Sequence, residues 1–346
     1  MYPSKNSERQ LTGRLSARLV QAALLIALAS LLLTGTARPA SANPPVWFGV
    51  NLAWGTYGAD FGRDFYYGNG PNYDGAAMES YLADIQSKHM NIVRVWTMED
   101  FSGLSFQDNN SDNPCTGVST AFIENITDFC RRANAHGLTV YVTFLTFSDI
   151  QRHPNIVTVN RSAFVQNALA PVARALAPYS VCYDLMNEAN YSGLSWTDLR
   201  NYGNDAQIAL HGISGNWVTM STDQPSAFGE SFWNTVGGIG YDFYDCHCYS
   251  SSGTPLRVTT AQVLDGKPLV LGEYGPSQPL NANAPYRWSG SSFVVDNFCQ
   301  NAAAENYFGM LSWSYLSDNG TPQDNFALQN KSELWTMDYY GNLWGR

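Results

Sequence analysis

Eight short apolar runs, repeatedly alternating with stretches of helical spacing, narrow the possible folds of this chain more than anything else in it. They occupy residues 46–52, 92–96, 138–147, 181–190, 216–221, 241–249, 267–273 and 308–315. Several are apolar on both faces, as strands of a parallel sheet covered on both sides must be. Helical periodicity lies between them. Met78, Tyr81, Leu82, Ile85 and Met90 recur on one helical face, as do Phe122, Ile123, Ile126, Phe129 and Ala133, with Gly137 as a natural stop. A helix over 162–177 is expected to break near Pro171, which lacks an N–H. Ser195 should cap another that ends near Gly212, and Phe293, Val294, Phe298 and Ala302 mark one before the last run. The 340–343 segment, Tyr-Gly-Asn-Leu, reads as a closing hairpin. Strand-helix alternation repeated eight times predicts an α/β architecture, a (β/α)8 TIM barrel.

The first 42 residues stand apart. Lys5, Arg9, Arg14 and Arg18 precede an apolar core over 19–33, and Ala40-Ser41-Ala42 offers a small-residue cleavage site, the three-part pattern of a secretory signal peptide. The expectation is a secreted chain beginning near Asn43, with 43–346 as one barrel domain and no membrane attachment after cleavage. Without that leader, fourteen basic residues face twenty-eight acidic ones, so nucleic acid and anionic membranes are repelled and a neutral substrate is expected. Nothing in the sequence calls for a partner subunit, and a monomer is expected. All six cysteines follow the leader, so disulfides are plausible there. Six cysteines allow fifteen complete pairings, and Cys115 with Cys130 is the one local candidate.

Two of the runs end in a carboxylate. Residues 181–190 close on Asn187-Glu188-Ala189-Asn190, and 267–273 close on Glu273. The carboxyl ends of barrel strands are where such folds place their chemistry. Two carboxylates at two strand ends are what cleavage of a glycosidic bond requires, one as acid and one as nucleophile or base. As general acid, Glu188 would need a raised pKa, and Asn187 could bond the hydroxyl beside the reacting carbon. Arg94 interrupts an apolar strand and needs a partner. Either it forms a structural ion pair, or it orients Glu273. Cys246-His247-Cys248-Tyr249 does not suit a metal, because neighbouring strand residues point to opposite faces. His247 and Tyr249 share one face. Turned inward, His247 could bond substrate and Tyr249 could donate to the nucleophile, while a satisfied core histidine is the other reading. Trp313 could floor a sugar subsite, with Trp54, Tyr57 and Trp96 flanking a cleft. The aromatics from Trp54 to Tyr73 suit either a binding rim or a self-packed cover. Phosphate-loop and zinc-binding sequence patterns are absent, and no cofactor or metal is expected.

Taken together, Arg94 after the second strand, Asn187-Glu188 after the fourth, His247-x-Tyr249 on the sixth, Glu273 after the seventh and Trp313 on the eighth resemble the clan A retaining glycoside hydrolases, and most of all glycoside hydrolase family 5. Asp184-Leu185-Met186-Asn187-Glu188 is similar to that family's strand-four signature. The chain departs from it in Ala189, where proline is usual, and in a third strand without a histidine near its end. The resemblance implies that Glu188 is acid/base and Glu273 nucleophile in a double displacement without cofactor. The expected substrate is a neutral β-linked polysaccharide, a β-glucan or β-mannan, cleaved internally. Exo-action within the same clan, or a barrel that binds glycan without cleaving it, are the alternatives.

Overall fold

The computed structural model describes residues 45–223, 227–250, 253, 266–275, 292–316 and 332–344. The expected leader, residues 1–42, lies outside the described residues. The barrel strands are β1 (Trp47–Asn51), β2 (Ile92–Trp96), β3 (Thr139–Thr146), β4 (Val181–Asn187), β5, β6 (Tyr244–Tyr249), β7 (Leu269–Gly275) and β8 (Gly309–Ser312). Strand β5 is interrupted at Met220 into Trp217–Thr219 and Ser221–Thr222. Its first piece pairs with β4 and its second with β6, every pairing in the sheet being parallel. These two pieces stand at opposite ends of the strand order, so the sheet closes on itself as the eight-stranded barrel the sequence predicts.

Alternation along the strands sorts side chains into an interior and an outer core. A compact interior cluster holds Ile92, Tyr141, Cys182, Phe243, Val270 and Leu311, with Trp47, Trp217 and Phe308 packed against it. These rings plug the amino-terminal end of the barrel, with centroids 5.1 Å apart for Trp47 and Phe308 and 5.4 Å apart for Trp217 and Phe308. Outward-facing residues such as Val93, Val95, Tyr183 and Leu185 join the larger core beneath the helices. The plug bears no charge. Further up, the interior becomes polar: Asn51, Arg94, Asp184, Ser221, Asp245 and His247 are all fully buried.

Helices fall where periodicity places them, at Gly75–Ser87, Thr120–Ala135, Trp196–His211 and Ser292–Ala304. Ser195 caps the third of these, accepting from the Asp198 N–H while its hydroxyl donates to the Asp198 carboxylate at 2.6 Å. The expected break near Pro171 is a π-helical segment, Val165–Leu169, running into Ala170–Leu176.

Two expectations need correction. Residues 340–343 end a helix, Ser332–Leu343, not a hairpin. Leu334, Met337 and Tyr340 recur at helical spacing and are buried. Gly341 is there for closeness, since a Cβ would come within 2.6 Å of the His89 Cβ. The second correction concerns the cysteines. All six are free thiols. Cys130 faces the core from its helix, while the Cys115 thiol donates to the Gly117 carbonyl within the hairpin of Leu104–Phe106 and Cys115–Val118, so the proposed local pairing does not form.

Candidate active site at the carboxyl ends of the strands

The polar layer is organised around Arg94. Its Nη1 donates to Glu273 Oε1 at 2.7 Å and its Nη2 to Asp184 Oδ2 at 2.7 Å and Asn187 Oδ1 at 2.8 Å. The guanidinium also lies over the Trp96 ring, 4.2 Å from its centroid. Burial works against this charge, but Asp184 and Glu273 outweigh it and raise the pKa above the ordinary arginine value. Both readings of Arg94 therefore hold at once, with Glu273 on one side and a structural partner, Asp184, on the other. Asp184 is itself fixed by the Ser221 N–H at 2.9 Å and the Ser221 hydroxyl at 2.8 Å.

Glu273 reaches the site through an irregularity. The register of β7 against β6 shifts between Leu271 and Glu273. At the intervening Gly272 a Cβ would lie 2.1 Å from Asp245 Oδ2, so only glycine fits, and its N–H donates to Asp245 Oδ1 at 2.7 Å. Glu273 is then held at both oxygens, Oε1 by Arg94 and Oε2 by the Tyr249 hydroxyl at 2.6 Å. Burial, then the Glu273 charge, push the Tyr249 pKa far above its ordinary value, which keeps the hydroxyl a donor.

Glu188 follows the last residue of β4 in a left-handed backbone conformation, φ 47°, with its N–H donating to Ser221 Oγ at 3.1 Å. Its carboxylate is partly exposed, at 17%. Burial raises its pKa, and the bond to His247 offsets this only in part. His247 Nδ1 lies 3.0 Å from Glu188 Oε1 and 3.4 Å from Glu273 Oε1. Burial depresses the imidazole's pKa, but Glu273 and Glu188 overcome it and raise it to about 9, so the ring is cationic at neutral pH. One carboxylate oxygen each from Glu188 and Glu273 lie within 4.8 Å of each other. These residues and His247 have the separation to ligate a divalent cation. Cationic His247 and Arg94 oppose one there.

Asn187 presents its carbonyl oxygen to Arg94, which leaves its amide N–H groups to face the cleft. Trp54, Trp96 and Trp313 form one aromatic wall: centroids are 6.0 Å apart for Trp54 and Trp96, 5.0 Å for Trp96 and Trp313, and 6.4 Å for Trp54 and Trp313. Trp96 and Trp313 are almost covered, whereas Trp54 is partly open. Arg94, Asn187, Glu188, His247, Tyr249, Glu273 and the three tryptophans are thus drawn to one end of the barrel.

Sequence reasoning passed over Ser221 and gave Asp184 no role of its own. Asp184 carried the same signal as Arg94, a charge inside an apolar strand. At the end of β3, Thr146 Oγ1 lies 3.5 Å from Glu99 Oε1 and 3.4 Å from Asp149 Oδ2. Burial, then Asp149, raise the Glu99 pKa to about 8, and burial, then Asp100, raise Asp149 to about 7. Glu99 also accepts from the Tyr57 hydroxyl at 3.0 Å.

Comparison with known proteins gives a consistent result. No protein-family model matches the chain. It is 23% identical over 335 residues to a mannan endo-1,4-beta-mannosidase of Cryptopygus antarcticus, covering 81% of this chain and 83% of that protein. It is 28% identical over 320 residues to a mannan endo-1,4-beta-mannosidase of Mytilus edulis, covering 77% and 82%. The crystal structure of the Mytilus edulis beta-mannanase superposes with a TM-score of 0.64 at 19% identity, over 86% of this chain and 92% of that one.

Proposed function

We propose that the chain is a glycoside hydrolase of the family 5 type, a secreted, retaining endo-β-mannanase with Glu188 as acid/base and Glu273 as nucleophile. The carboxylate separation carries the reading. Double displacement uses carboxyl groups about 5–5.5 Å apart, whereas inversion needs roughly 6.5–9.5 Å to admit water. One oxygen of Glu188 lies within 4.8 Å of one oxygen of Glu273, a nearest approach that supports the former.

In the first step a Glu273 oxygen attacks the anomeric carbon, while Glu188 gives its proton to the departing glycosidic oxygen. In the second, Glu188, now a carboxylate, takes a proton from water. That water displaces Glu273, and two inversions restore the β configuration. The environments divide the labour. Glu188, with its raised pKa, is suited to hold a proton, and Glu273 is aimed by Arg94 and Tyr249. The free amide of Asn187 can bond the hydroxyl beside the reacting carbon, and Trp313 can pack beneath the sugar. Mannan as substrate rests on the names of the two sequence relatives. Endo-action is supported by Tyr57 and Tyr67, whose exposed rings give the loop after β1 the character of an open rim.

The test is hydrolysis of β-mannan, β-glucan and aryl glycosides by the purified protein, with product lengths and the first-formed anomer read by NMR. Intermediate-length oligosaccharides and a β-anomer from mannan are expected. An α-anomer refutes retention, and release of terminal sugars alone refutes endo-action. Export is tested separately, by whether the mature protein begins near Asn43.

A further inference from the structure

The loop between β1 and the Gly75–Ser87 helix answers the question its aromatics raised, and does so in two ways. Phe61, Phe65, Tyr66 and Tyr73 turn inward: Phe61 packs on Phe122 and Phe129, Phe65 on Phe106, and Tyr66 on Phe101. Tyr57 and Tyr67 do not, and are 51% and 73% exposed. Both line a cavity of about 300 Å³ completed by Asp64, Asn69, Asp100 and Arg152.

That cavity is built to stay in shape. Asp64, only 5% exposed, accepts from the backbone N–H groups of Tyr66 and Tyr67, each at 2.8 Å, and from Asn69 at 3.2 Å. The Tyr57 hydroxyl is tied to Glu99, which fixes that ring. Arg152 Nη2 donates to Asp100 at 2.8 Å and Asp149 at 2.6 Å, and its guanidinium sits 5.4 Å from the Tyr66 ring centroid. Nη1 donates to no described residue, and remains a hydrogen-bond donor for a ligand. The cavity also connects with the candidate active site through touching rings. Tyr57 meets Trp54 at 4.6 Å, Trp54 meets Trp96 at 6.0 Å, and Trp96 underlies Arg94.

From this we propose that the cavity is a distal glycan subsite, which receives a neutral hexopyranosyl unit of the same β-linked chain whose cleavage occurs between Glu188 and Glu273. The proposal rests on the glycanase reading above. Its chemistry is that of sugar recognition: Tyr57 and Tyr67 offer apolar ring faces, and Arg152 beside Asp100 offers a donor and an acceptor to a pair of hydroxyls. Within the lining, the Asp100 carboxylate pairs with the Arg152 guanidinium at 2.8 Å, so these two charges offset each other, which suits an uncharged ligand. Because the contacts are fixed before binding, little order has to be imposed when the sugar arrives.

The experiment compares Tyr67→Ala with the parent on a β-1,4-manno-hexasaccharide and on an aryl β-mannobioside. Tyr67 is exposed and its ring makes no contact on which the barrel depends, so folding should survive. We expect the ratio of kcat/KM on the long substrate to that on the short one to fall about tenfold, mostly through KM. Tyr57→Phe, which keeps the ring and frees it from Glu99, should lower the ratio in the same direction but less. A ratio unchanged in Tyr67→Ala overturns the subsite, and so does an equal loss on both substrates, which would mark a purely structural effect. Calorimetry with Glu273→Gln, with and without Tyr67→Ala, gives the same answer without turnover: equal affinity for the hexasaccharide overturns the proposal. Failure of the parent to cleave either mannoside is a different result, and refutes the mannanase reading instead.

Discussion

The substitution His247→Asn separates the charge of this residue from its hydrogen bond. Asparagine can place an N–H close to where Nδ1 lies, so the contact to Glu188 can persist while the positive charge is lost. In the folded protein the imidazole holds its proton to about pH 9, against an ordinary 6.5. A pKa raised on folding contributes stability that is fully present below the unfolded value and is lost as pH climbs through the folded one. The interval from 6.5 to about 9, at about 1.36 kcal/mol per pH unit, is worth about 3 kcal/mol. In the variant Glu188 loses its cationic neighbour and keeps its own proton to higher pH. The destabilisation caused by His247→Asn should therefore be larger at pH 6 than at pH 9.5, by up to about 3 kcal/mol. Urea unfolding at the two pH values measures it, and cavity or packing effects cancel because they do not depend on pH. The basic limb of the rate profile should also move to higher pH. An equal destabilisation at both pH values would refute the claim that His247 is held as a cation between the two glutamates.

Other expectations follow from the same network. Glu273→Gln keeps shape but removes the attacking charge, so turnover should fall by several orders of magnitude while oligosaccharide binding, read by calorimetry, persists; near-parental turnover excludes Glu273 as nucleophile. Glu188→Ala should abolish mannan cleavage yet let an activated aryl glycoside glycosylate Glu273 with release of the phenolate, and azide should restore turnover to give a β-glycosyl azide, with an α-azide contradicting double displacement. Arg94→Met strands Glu273 and Asp184 in a buried site and should cost roughly 3–5 kcal/mol, measured by chemical denaturation. Glu99→Gln should flatten the pH dependence of stability: the parent loses stability as pH rises from about 4.5 through about 8, and a variant with the same slope would show that Glu99 is not held protonated.

The barrel was legible in the sequence because strand and helix patterns both survive in short windows. The ends of the chain were harder. Tyr340-Gly341 has turn chemistry, but Gly341 is required by the approach of His89, a neighbour distant in sequence. Strand ends gave Glu188 and Glu273, and alternation gave the shared face of His247 and Tyr249. What alternation could not give was the bulge at Gly272, without which Glu273 would be one position out of register with His247. Nor could it show that Asp184 shares Arg94 with Glu273, or that Ser221, beyond the interruption in β5, ties Asp184 to the Glu188 backbone. Those contacts join residues from different strands, and only closure of the barrel brings them together.

Closure also divides the barrel into two storeys. The Trp47, Trp217, Phe243 and Phe308 plug packs in its own cluster, while the charged residues occupy the layer above. The two storeys meet at Tyr141, whose ring packs on Phe243 below and whose hydroxyl donates to Asp245 at 2.6 Å above, so a change of ring size in the plug reaches the charges overhead through this one side chain.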